Sequence, residues 1–197
     1  MTLEMILEHL YIVFMAVIMA IAVGVPLGVV TYLVPKVRKI ILFVTDVFQT
    51  IPSLALLGLI MILVGAGKTT VIIGLTMYSL LPIVRNTNLG LSNVDPGIKE
   101  AARGMGMSRL YQLVFIELPL SFPVIVTGIK IAAVNSIGTA VFAASVGGGG
   151  LGSIIYRGIR VMNVNLILTA TVSLMAMSIV FESIMDFIAK RLEKKAT

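Results

Sequence analysis

Residues 95–119 read DPGIKEAARGMGMSRLYQLVFIELP, the longest stretch of mixed polar and apolar residues in an otherwise apolar chain. Its local chemistry predicts two short helices. Asp95 is an N-cap, because its carboxylate can accept the orphan N–H groups of the next turn, and Pro96 fits the first helical position. The first helix runs through Glu100, Ala101 and Ala102, with Glu100 and Arg103 spaced to pair on one face. Gly104 and Gly106 break it. Ser108 caps a second helix, Arg109 to Leu118, which Pro119 is expected to end. A stiff helical elbow of this kind, set between membrane spans, suits a cytosolic partner.

The rest of the chain supplies the spans. Of 197 residues 58% are hydrophobic and 12% charged, where a soluble domain has about 25% charged. The composition therefore indicates an integral membrane protein, and the length suits a single domain over residues 1–197. With no cysteine there is neither a disulfide framework nor a thiolate metal site. Five apolar runs reach the roughly 20 residues needed to cross a bilayer: Leu10–Val34, Ile40–Val64, Thr69–Leu91, Ser121–Val146 and Val164–Ala189. Glu4 and Glu8 precede the first run without any Lys or Arg, unlike the basic start of a cleaved signal peptide. The net charge of +6 does not point to nucleic acid, because the cations fall between apolar runs.

Those cations set an orientation. With the N-terminus outside, Lys36, Arg38, Lys39, Arg85, Lys99, Arg103, Arg109, Lys190, Arg191, Lys194 and Lys195 lie inside. Only Lys68, Arg157 and Arg160 lie outside, and Lys130 falls within a span. This bias favours an outer N-terminus and a cytosolic C-terminus, and it puts the elbow in the cytosol.

Glu100-Ala101-Ala102, three residues, Gly106, nine residues, then Ile116-Glu117-Leu118-Pro119 resembles the EAA loop of bacterial ABC importer permeases, EAA-x3-G-x9-I-x-LP, without a gap. Gln49 to Ala55, Leu81 to Thr87 and Gly147 to Gly152 are similar to the osmoprotectant branch of that family, which is related to methionine-type permeases. The resemblance spans about residues 8 to 190. It implies an all-α polytopic permease of the type I importer fold, with five transmembrane helices and a cytosolic coupling-helix elbow, in the bacterial cell membrane. It also implies import of glycine betaine, carnitine or choline, driven by ATP and Mg in a partner ATPase subunit. An extracytoplasmic binding protein and a second permease copy or paralogue would complete the assembly. Glu100, Ala101, Ala102, Gly106, Ile116, Leu118 and Pro119 would couple the ATPase: Glu100 by a polar contact, Gly106 by close approach at the turn, Ala101 and Ala102 by close fit. Five spans are too few to enclose a path alone, which is why a second copy is expected. Methionine or another small amino-acid-like solute is the alternative cargo. An ATP-independent channel or scaffold is the alternative class, which accounts for the spans but not for the elbow spacing.

Within the spans, Gln49, Thr50, Pro52 and Ser53 cluster polar and kinking residues in a few turns and are candidates for the translocation path, together with Asn135. Pro26 and Pro82 interrupt the first and third runs. Gly24 and Gly28 form a small-xxx-small pair that lets another helix approach closely. Asp46, Lys130, Glu182 and Asp186 are intramembrane charges near inner ends, where they either snorkel or, for Lys130, pair with Glu182 or Asp186. Recognition of a quaternary ammonium ion uses aromatic cages, but there is no Trp, and Tyr11, Tyr32, Tyr78, Tyr111 and Tyr156 are scattered. Selectivity is therefore expected in the external binding protein.

Three patterns lead away from this reading and fail on context. Gly67-Lys68-Thr69 lacks the earlier Gly of a phosphate loop, having Ile62 there, so the chain is not expected to hydrolyse ATP. Gly147, Gly149 and Gly152 spell a dinucleotide fingerprint but follow a membrane span rather than a strand. They read instead as an outer turn before a short helix, Leu151 to Arg160. An intramembrane hydrolase would need His9 to meet Ser136, Ser145 or Ser153. No catalytic set and no metal-ligand spacing is present, and the twelve methionines read as packing.

Overall fold

The computed structural model describes the backbone of residues 2–196 and the side chains through residue 191. Lys194 and Lys195, counted inside from the sequence, have side chains outside that range. The described residues are helical, with no strand. In chain order the helices are α1 (Leu3–Leu33), α2 (Pro35–Thr50), α3 (Ser53–Val64), α4 (Lys68–Ser92), α5 (Pro96–Gly104), α6 (Arg109–Gln112), α7 (Leu118–Thr139), α8 (Gly152–Arg160) and α9 (Val164–Ala196). A π turn, Leu113–Glu117, joins α6 to α7, and a 3-10 turn, Ala140–Val146, extends α7.

Helix α4 is the axis of the bundle. Fourteen of its residues are buried, Ser79, Thr87 and Asn88 among them. Such polar residues are tolerated because neighbouring protein rather than lipid surrounds them. Helix α1 lies along α4 at close range. A Cβ on Gly24 would meet Ile83 Cγ2 at 2.9 Å, and one on Gly28 would meet Thr87 Cγ2 at 2.7 Å and the Val84 carbonyl oxygen at 3.0 Å. The small-residue pair is thus the seam between the two helices. Asn88 Nδ2 donates to Thr31 Oγ1 at 3.0 Å, closing that seam at its end. The apolar core, with Ile12, Ala16, Leu57, Leu75, Ala133 and Ile137, is shared by α1, α3, α4 and α7.

Of two expectations about proline, one holds and one is corrected. The run Ile40–Val64 is broken at Pro52, where a kink is expected, and α2 and α3 meet there at 100°. Pro52 pushes the preceding residue out of the helical region, and Ile51 sits at φ −69°, ψ 128°. Side chains and backbone of α4 take up the polar groups at the break. The Tyr78 hydroxyl donates to the Ile51 carbonyl, and Gln49 Nε2 donates to the Tyr78 carbonyl at 2.9 Å. Pro119, in contrast, ends nothing, because the second elbow helix runs through it into α7. The π turn just before it widens the helix where a proline ring would otherwise collide with the carbonyl four residues back.

Among the described residues three helical segments are long and apolar enough to cross a membrane, Leu3–Leu33, Arg109–Val146 and Val164–Arg191, and the bent α2–α3 pair makes a fourth if it is counted as one span. The expected run Thr69–Leu91 is α4, whose polar residues leave it outside that set. Lys130 does pair: its Nζ is 2.7 Å from Asp186 Oδ1 and 3.8 Å from Glu182 Oε1, tying α7 to α9. Asp46 meets Arg85 at 3.1 Å between α2 and α4. At the opposite end of the bundle, Glu8 joins three segments. It pairs with Lys68 at 2.8 Å and accepts the Gly150 N–H at 2.8 Å. Gly147, Gly149 and Gly150 in that loop all have positive φ, so the fingerprint-like letters encode a tight turn.

Candidate functional site: a charged elbow and a polar cleft

The elbow forms as its capping residues dictate. Asp95 accepts the N–H groups of Gly97 at 2.6 Å and Ile98 at 3.3 Å, and Ser108 accepts that of Tyr111 at 3.3 Å. Helix α5 closes with Gly106 at φ 77°, its N–H bonded to the Arg103 carbonyl at 2.9 Å while the Met107 N–H reaches the Ala102 carbonyl at 3.2 Å. This is the paired-bond helix ending that requires a left-handed residue after the cap. Among the described residues, nothing beyond its own chain neighbours lies within 4 Å of a Cβ placed on Gly106. Gly106 is therefore needed for its backbone conformation, not for close approach within the chain.

The expected coupling residues divide by face. Glu100, Ala101 and Pro119 are exposed, Ile116 and Leu118 are half-buried, and Ala102 is fully buried. Ala102 thus fits against its own chain, whereas Ala101 is presented outward. The expected Glu100–Arg103 ion pair does not form among the described residues, whose ion pairs lie elsewhere. Both side chains are exposed and free to face a partner. Beside them stand Met105, 68% exposed, and Leu110, 70% exposed, so the outer face combines charge with apolar surface. On the inner side Lys99 Nζ donates to the Leu91 carbonyl at 2.9 Å, and Arg109 pairs with the buried Glu117.

Away from the elbow, a cleft of about 440 Å³ lies between α2, α4 and α7. Of the residues expected along a translocation path, Gln49 and Asn135 line it. Thr50, Pro52 and Ser53 do not. Thr50 Oγ1 turns back to its own helix, donating to the Val47 carbonyl at 2.8 Å, and Pro52 acts through the bend. Tyr78, Ser79, Ser136 and Thr139 complete the polar lining, and Ser79 Oγ lies 3.0 Å from Ser136 Oγ. None of these four was named for the path from the sequence. Asn135 and Thr139, at i and i+4, are the one local signal that α7 has a polar face.

The residues weighed for a hydrolytic pair bond elsewhere among the described residues. His9 Nε2 donates to the Ile137 carbonyl at 3.0 Å, Ser145 turns to Phe142 and Ser136 to Ser79. Among the described residues no three His, Asp or Glu side chains are grouped to hold a metal ion. What the geometry offers is a cleft lined in part by uncharged hydrogen-bonding groups and, apart from it, an exposed elbow.

Comparison with known proteins agrees. The family model described as the inner membrane component of binding-protein-dependent transport systems matches residues 20–197. The chain is 40% identical over 189 residues to the carnitine transport permease protein OpuCB of Listeria monocytogenes, covering 96% of this chain and 87% of that one. It is 37% identical over 190 residues to the glycine betaine/carnitine/choline transport system permease protein OpuCB of Bacillus subtilis, covering 96% and 86%. Its fold superimposes on a chain of the MetNI methionine ABC transporter in an inward-facing conformation with a TM-score of 0.85 at 24% identity, covering 98% of this chain and 99% of that one.

Proposed function

Because this chain belongs to the family of binding-protein-dependent transport inner membrane components, we propose that it is the permease subunit of an ABC importer for osmoprotectants such as glycine betaine, carnitine or choline. The observation that carries the cargo class is the resemblance over almost the whole chain to permeases named for those solutes. Five spans cross the membrane, α4 among them and the bent α2–α3 pair counted as one. The N-terminus is outside, and the elbow projects into the cytosol. An ATPase subunit docks on the elbow around Glu100, Ala101, Gly106, Ile116, Leu118 and Pro119, with Ala102 holding α5 against its own chain. ATP and Mg belong to that subunit.

Two permease chains face each other so that their clefts form one path. Gln49 and Asn135 meet the passing solute, with Tyr78, Ser79, Ser136 and Thr139 beside them. Uncharged hydrogen-bonding groups suit a permissive passage for a zwitterion or cation, and selection is left to an extracytoplasmic binding protein. Closure of the ATPase dimer swings the elbows and alternates access.

Mild-detergent purification of the tagged chain, with identification of the accompanying proteins by mass, tests this. The expected companions are an ATPase subunit and a substrate-binding protein whose ligand is a quaternary ammonium solute. A chain that purifies alone, from cells whose uptake ignores ATP, would leave a channel or scaffold instead.

A further inference from the structure

Both limbs of the elbow converge on a single ring. Lys99 Nζ, from α5, lies 5.3 Å from the centroid of Tyr32, and Arg109 Cζ, from α6, lies 5.2 Å from it. Tyr32 is half-buried and one residue from the end of α1. Each cation has a second anchor. Lys99 caps the end of α4 through the Leu91 carbonyl. Arg109 neutralises Glu117, which is fully buried at the start of α7 and whose other oxygen has no partner among the described residues. The two cations therefore tie three bundle helices to the elbow, and among the described residues the cation contacts that reach α1 fall on Tyr32. A cation over an aromatic face is drawn to the ring's electrons, more strongly as both lose water. Arg109 also cannot leave without stranding a buried carboxylate.

We propose that Tyr32 is the positioning residue that transmits elbow displacement to α1. Lys99 and Arg109 grip the ring, so a push on the elbow carries the end of α1 with it. Helix α1 then moves the bundle through its seam with α4 at Gly24 and Gly28. Without the ring the elbow stays attached to α4 and α7 but slips past α1. The inference rests on the reading of the elbow as the ATPase docking site.

The test uses the whole complex with its ATPase and binding protein, reconstituted in proteoliposomes. Uptake of labelled glycine betaine and ATP hydrolysis are measured together, and their ratio is the readout. Tyr32→Phe keeps the ring and is expected to keep the wild-type ratio. Tyr32→Leu keeps apolar bulk without the ring, and should retain hydrolysis while uptake per ATP falls about tenfold. An unchanged ratio in Tyr32→Leu overturns the inference. Should that variant not assemble, Lys99→Met is read the same way, and an unchanged ratio there overturns it equally. The chain has no cysteine, so Tyr32→Cys with Lys99→Cys can be bridged by a short thiol reagent. Bridging should restore the ratio, and a ratio that stays low contradicts mechanical transmission. If the wild-type complex hydrolyses ATP but takes up no osmoprotectant, the cargo is wrong. If it binds no ATPase, the permease reading fails, separately from the role of Tyr32.

Discussion

Gly28→Ala tests how tightly the seam between α1 and α4 is set. The added methyl would lie 2.7 Å from Thr87 Cγ2 and 3.0 Å from the Val84 carbonyl oxygen, and closer still to Thr87 Cβ. Neither neighbour yields readily. Thr87 is fully buried and β-branched, which restricts its rotamers on a helix, and the Val84 oxygen is backbone. The helices must therefore separate. Overpacking of this kind costs about 1–3 kcal/mol, offset in part by the better helix propensity of Ala, about 1 kcal/mol. A net loss of up to about 2 kcal/mol corresponds to a fall of up to about 8 °C in the midpoint for a chain of this length. Thr87→Gly reopens the space. The Thr87 hydroxyl has no hydrogen-bond partner among the described residues, so no bond is lost, and the glycine costs about 0.5–1 kcal/mol in helix propensity. The double variant should thus stand near the wild type. The assay is the fraction of detergent-purified protein that stays monodisperse after heating. A Gly28→Ala midpoint at or above wild type, or a double variant no better than the single, would refute a close-packed seam.

Other outcomes follow from the ion pairs and the bend. Lys130→Glu faces Asp186 and Glu182 with a third acid and should lower stability by about 1–2 kcal/mol, a value discounted for partial exposure. Adding Asp186→Lys should recover most of it in the same heating assay, and lack of recovery would argue that the pair is incidental. Arg109→Met strands the buried Glu117 carboxylate and should cost about 3 kcal/mol, whereas Arg109→Met with Glu117→Leu should be markedly more stable than the single change. Tyr78→Phe removes the donor to the Ile51 carbonyl at the α2–α3 bend and should cost about 1–2 kcal/mol, read from the same midpoint.

The elbow was legible because its chemistry is local. Asp95, Pro96 and Ser108 act within three residues of themselves: Asp95 and Ser108 cap, and Pro96 takes the first helical position. Pro119 misled because local rules make it a stop, while the π turn at Leu113–Glu117 that accommodates it carries no composition of its own. Pro52 announced a kink but not its size. The 100° bend depends on Tyr78 and Gln49, which come together from α4 and α2. The cleft was half legible for the same reason. Gln49 and Asn135 stood out as polar residues in apolar runs, but the meeting of Ser79 with Ser136 is set by helix packing. The Glu8 junction joins residues 142 positions apart, and the role of the glycines beyond the turn itself could not be read from their spacing.

The central claim is that the elbow carries the force of ATP hydrolysis into transport, and Glu100 is its exposed polar contact. The direct measurement is ATP-dependent uptake of labelled glycine betaine by proteoliposomes holding the complete complex, with wild type beside Glu100→Arg. The account predicts ATP-driven accumulation by the wild type. It predicts loss of uptake in Glu100→Arg, with the chain still folded and inserted, since Glu100 makes no ion pair within the described chain. Uptake that ignores ATP, or a Glu100→Arg complex that transports normally, would contradict it.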